Sequence, residues 1–83
     1  MASKNLPDRT EYGYGAVGGD YPAIIGFDSM AEAVRKFTRF AERWLEAYPN
    51  EQSYSARFWV RYKGNPDWTP RSPYTIYRET EQH

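Results

Sequence analysis

The chain has 83 residues, no cysteine, and eleven basic residues against eleven acidic ones. That length allows one domain that buries about 60–65% of the surface its unfolded form exposes. The missing cysteines exclude disulfides and thiolate metal sites, and the balanced charge argues against a dedicated nucleic-acid binder, which is basic as a whole.

Residues 1–9 are polar and lack the apolar core of a signal peptide, so a disordered tail is expected there. Residues 10–79 form the expected domain, with a second short tail at 80–83. Between Thr10 and Val17, Tyr12, Tyr14 and Ala16 alternate with Glu11, Gly13 and Gly15, a strand softened by its glycines. Gly18-Gly19-Asp20 reads as a turn, and Tyr21 to Phe27 as a second strand with Pro22 at its start or on an edge. Gly13, Gly15 and Gly18 match a G-x-G-x-x-G string. A dinucleotide loop, however, needs a strand before it and a helix after it, and here another apolar strand follows.

Ser29 with Glu32 three residues on predicts a capped helix start. Met30, Ala33, Val34, Phe37, Phe40, Ala41, Trp44, Leu45 and Tyr48 then recur within an arc of roughly 140°, a core-facing stripe that Pro49 ends. Arg35, Lys36, Arg39 and Arg43 share the polar face with Glu32, Glu42 and Glu46. Pairing of Glu32 with Lys36, Arg39 with Glu42 and Arg43 with Glu46 would make this a solvated charge lattice.

From Ser53 to Lys63 the chain alternates again. Tyr54, Ala56, Phe58, Val60 and Tyr62 fall on one face; Arg57, Trp59, Arg61 and Lys63 fall on the other. Residues 64–73, with three prolines around Trp68 and Arg71, read as a long loop, and Tyr74 to Glu79 as a last strand with Tyr77 on the face of Trp59. The expected architecture is α+β, in the order β-β-α-β-β, with one amphipathic helix on one face of a mainly antiparallel sheet and the other face open.

With no cysteine and a single histidine, His83, at the frayed end of the chain, the usual nucleophiles and general bases are missing. An enzyme is therefore not expected, and neither is a cofactor. The strongest candidate surface is Arg57, Trp59, Arg61 and Lys63, helped by Trp68, Arg71 and Tyr77. It is either a protein-docking face, since Arg and Trp favour such sites, or a sheet back on which Arg stems cover Trp59 opposite Glu11 and Glu79. Direct single-stranded nucleic-acid binding is the second functional reading, and a homodimer is as open as a monomer. An RNA-recognition octamer is excluded, because Ser55 to Tyr62 matches only its end and a second helix is absent.

This order of a hairpin, a capped helix (Asp28-Ser29-Met30-Ala31-Glu32 through Ala41-Glu42-Arg43-Trp44), an Arg/aromatic strand and a Trp68-Thr69-Pro70 segment resembles small orphan proteins of bacteriophages. More loosely, it is similar to the compact α/β anti-CRISPR inhibitors. The resemblance implies a small non-enzymatic protein of the host cytoplasm that binds a host protein or ribonucleoprotein. Since no apolar run approaches the roughly 18 residues of a membrane span, no membrane association is expected. The neutral total and cationic strand set it apart from acidic, nucleic-acid-mimicking inhibitors.

Overall fold

A computed structural model describes residues 9–78. The elements are β1 (Thr10–Gly15), β2 (Ile24–Phe27), α1 (Met30–Ala47), β3 (Ser53–Tyr62) and β4 (Thr69–Tyr77). They form one four-stranded sheet in the order β2-β1-β3-β4, with every neighbouring pair antiparallel. The α+β architecture with one helix against an antiparallel sheet is as the patterning indicated. Residues 1–8 of the tail expected at 1–9, the tail expected at 80–83, and Glu79, expected at the end of the last strand, lie outside the described residues. Arg9 is not tail, because its carbonyl accepts from Lys63 N–H.

α1 starts where the sequence says. Ser29 is extended (φ −147, ψ 157) and its hydroxyl accepts from Glu32 N–H. The Glu32 carboxylate returns a bond to Asp28 N–H, one residue ahead of the usual capping-box partner. The other end is held from outside the helix: Arg78 donates from Nη2 to Leu45 O and Tyr48 O, and from Nε to Glu51 O. A guanidinium thus meets the negative end of the helix and satisfies two of its last carbonyls.

The core is aromatic. Phe37 is fully buried, and its ring meets Tyr14, Tyr54, Phe58 and Tyr74 at centroid distances of 5.4, 5.9, 5.6 and 6.2 Å. The pair with Tyr54 is stacked and the other three are edge-on, and offset-stacked and edge-on contacts are the favoured geometries for aromatic quadrupoles. Ala33, Ala41 and Ala56 are buried beside it, where their small size allows helix and sheet to approach.

Three segments depart from the expected pattern. β1 stops at Gly15 and β2 starts only at Ile24, leaving 16–23 as a long connection. β2 is also bulged: Tyr12 faces Phe27 but Gly13 faces Ile25. Gly26 is the extra residue and takes φ +101, which glycine alone adopts without strain. The expected loop at 64–73 is half strand, because β4 begins at Thr69 and carries Pro70 and Pro73. The strand tolerates prolines because it lies at the edge. Arg78 N–H bonds Gln52 O, which sets the phase of the β3–β4 ladder: 74 and 76 exchange bonds with β3, whereas 73, 75 and 77 turn their backbone groups to the free edge. Pro73 therefore removes no ladder bond.

The helix stripe also buries less than its periodicity suggests. Phe40 is 44% exposed and Tyr48 53% exposed. The cause is the short hairpin: with β1 ending at Gly15, no strand passes beneath the β2 side of the second half of α1.

Candidate docking surface

The face of the sheet away from α1 is not open. Trp59, the centre of the expected docking face, is only 5% exposed and is buried outside the main aromatic cluster. It pairs with Gly13 on one side and Pro70 on the other. A Cβ on Gly13 would lie 2.6 Å from Ile24 O and 3.1 Å from Pro22 Cβ, and one on Gly15 would lie 2.8 Å from Ala23 N. Residues 22–24 therefore press against the outer face of β1, an approach only glycine permits. Pro22, Gly13, Gly15 and Trp59 are all buried there as a small second layer. No partner could reach the Trp59 ring without opening it. Its indole N–H is buried and meets no acceptor.

The strand's cations are engaged as well. Arg57 donates to Val17 O (3.3 Å) and Arg71 O (2.7 Å), tying the β1–β2 connection to β4. Arg61 forms a salt bridge of 3.0 Å with Glu11, with both side chains largely desolvated. It also donates to Asn65 O and stacks 4.3 Å from the centre of the Trp68 ring. Lys63, more exposed, reaches Asp28 at 3.2 Å. The expected cationic face is therefore a set of internal fasteners. The sequence showed its charges on alternate residues but not the carbonyls of Val17, Arg71 and Asn65, or the carboxylates of Glu11 and Asp28, that satisfy them.

The other expected site residues lie one strand further out. Trp68 precedes β4, and Arg71 and Tyr77 are in it; Arg71 is exposed, and Tyr77 is 74% exposed. Trp68 also forms one wall of an open cleft of about 570 Å³ shared with Tyr21, Asp20, Pro66 and Asp67. Beyond Pro73, the free edge of β4 runs Tyr74-Thr75-Ile76-Tyr77 without a charge or a proline. The opposite edge, β2, has four residues and a bulge.

A second feature was hidden in the helix. At about 100° per residue, Glu42 and Glu46 fall beyond Leu45 with Arg35 between them, Lys36 and Arg43 fall beyond Phe40, and Arg39 stands opposite the core-facing stripe. The packing agrees. Glu42, Leu45 and Glu46 line a cleft with Ile76 and Tyr77 of β4. Phe40 overhangs a notch of about 270 Å³ on the β2 side, lined by Tyr14, Ala16, Ile24, Tyr54 and Ala56. Among the described residues the ion pairs are Arg61–Glu11 and Lys63–Asp28, so the expected pairs along the helix do not form. Burial, and then the charge of neighbouring Tyr54, raise the hydroxyl pKa of Tyr14, one of the residues lining this notch, above its ordinary value.

No protein-family model, curated protein or solved structure matches this chain.

Proposed function

We propose that this protein is a small non-enzymatic binding module, an inhibitor or adaptor, that takes an extended segment of a partner protein on the free edge of β4. One observation carries the reading: β4 is protected by Pro70, Arg71 and Pro73 in its first half and by nothing in its second. There, Thr75 and Tyr77 present backbone N–H and C=O groups to solvent. Natural sheets blunt such edges with charge, proline or a bulge. An unblunted edge of uncharged, strand-favouring residues is a template for an added strand. Tyr77 and Arg71 flank it with side chains of the kind that anchor interfaces. The likeness of the motif order to phage-borne inhibitors supports a host protein, free or within a ribonucleoprotein, as the partner, met in the host cytoplasm.

The test is Tyr77→Pro. Tyr77 faces Ser53 in a pair that exchanges no ladder bonds, so the substitution removes an outward N–H and leaves the β3–β4 ladder whole. Affinity capture from host lysate should recover a partner with the wild-type protein and about tenfold less with the folded variant, from one lost backbone bond and one lost aromatic contact. Equal recovery by the two proteins would refute edge pairing.

A further inference from the structure

We infer that the notch beneath Phe40 is a second docking site, and that it takes an acidic segment of a partner protein anchored by one large apolar side chain. The inference does not depend on the β4 edge.

The notch is a consequence of the fold. Phe40 lies within the apolar stripe of α1, yet the sheet offers it no strand on that side, because β1 ends at Gly15 and β2 begins at Ile24. What remains is a recess whose lining is mainly apolar: Tyr14, Ala16, Ile24, Tyr54 and Ala56 under the Phe40 ring. Phe40 at 44% and Ile24 at 47% exposure form its lips. At about 270 Å³ it falls below the usual size of a pocket for a cofactor or drug-sized ligand. It matches a single Leu, Phe or Trp side chain.

The surroundings select the charge of the occupant. Lys36 and Arg43 stand on the same flank of α1 as Phe40, about 40° and 60° beyond it, and neither takes part in an ion pair among the described residues. Glu32 shares that flank one turn earlier, but its carboxylate accepts from Asp28 N–H at the helix start. The remaining helix acids, Glu42 and Glu46, are turned toward β4. An apolar recess with two unpaired cations on the helix flank beside it complements a chain that carries carboxylates on either side of an apolar anchor. A second copy of this protein fits poorly, because a symmetric contact would set Lys36 and Arg43 against their own equivalents.

The experiment is selection from a random peptide display library on the immobilised full-length protein, followed by nuclear magnetic resonance titration of a selected synthetic peptide. Enriched peptides should combine Asp or Glu with one Leu, Phe or Trp. The titration should shift the signals of Ile24, Phe40 and Tyr54. Phe40→Ala should weaken binding about tenfold or more through the lost apolar contact. Lys36→Glu/Arg43→Glu, both on exposed positions, should weaken it at least as much, and wild-type affinity should fall with added salt. Tyr77→Pro should change nothing, which separates this site from the β4 edge. Four results would overturn the inference: enriched peptides without acidic bias, unchanged affinity after charge reversal, a dimer that buries Phe40, or Phe40-dependent binding to anionic phospholipid vesicles in place of peptide.

Discussion

Trp59 tests most directly whether the outer face of the sheet is structure or surface. It is 5% exposed, and its indole N–H is buried without an acceptor. Truncation to alanine should cost about 3–5 kcal/mol, the range for large aromatic side chains removed from a core. A small domain has only about 5–15 kcal/mol in total, so Trp59→Ala should be close to unfolding at 37 °C. Trp59→Phe separates the two contributions. It removes the unpaired donor, whose burial costs about 1–3 kcal/mol. It also leaves a gap of roughly 40 Å³, which at about 24 cal/mol per Å³ costs about 1 kcal/mol. The opposing effects leave Trp59→Phe as stable as the wild type, or up to about 2 kcal/mol more stable. Urea unfolding followed by far-ultraviolet circular dichroism measures both variants. If Trp59→Ala unfolds at the wild-type midpoint, the residue is a surface group and the second layer described above is wrong. A loss above about 2 kcal/mol in Trp59→Phe would mean that the indole N–H has a partner in solution.

The same layer makes Gly13 irreplaceable. Gly13→Ala places a methyl 2.6 Å from a backbone oxygen and should cost about 1–3 kcal/mol by overpacking, lowering Tm by roughly 5–20 °C in calorimetry. Gly18→Ala, with nothing within 4 Å of the added carbon, is the control and should leave Tm nearly unchanged. The raised Tyr14 pKa gives a pH dependence with a definite sign. The unfolded chain ionises this hydroxyl near pH 10 and the folded protein only above that. Its contribution to stability is thus complete below pH 10 and is lost as the pH climbs toward the folded value. Tyr14→Phe should flatten the alkaline arm of a stability–pH curve; an unchanged arm would assign the loss to other groups.

Period alone disclosed α1 and β3. The spacing of Ala33, Phe37 and Ala41 and the alternation of Ala56 and Phe58 are local properties of one segment, and burial followed them. The capped start at Ser29 was equally legible, because a capping hydroxyl and its partner lie three residues apart. β4 was misjudged at its beginning, since prolines read as loop unless the strand is known to be an edge. The cationic face was misjudged because alternation assigns a side chain to a face but does not say what covers that face.

Sequence by itself determined the α+β class, the helix and its cap, and which side of β3 faces the core, since each follows from the geometry of a few neighbouring residues. Tertiary structure decided the rest. Trp59 is buried beside Gly13, far away in the chain, where residues 22–24 approach β1 closely. Arg57 and Arg61 are satisfied by the carbonyls of Val17, Arg71 and Asn65 and by the Glu11 carboxylate, contributed by two connections and two other strands. Glu42 and Phe40 gained separate neighbours only once the strand order β2-β1-β3-β4 put β4 beside one and a short hairpin beside the other. Whether a side chain remains free to meet a partner depends on which distant backbone groups fold against it, and no local period carries that information.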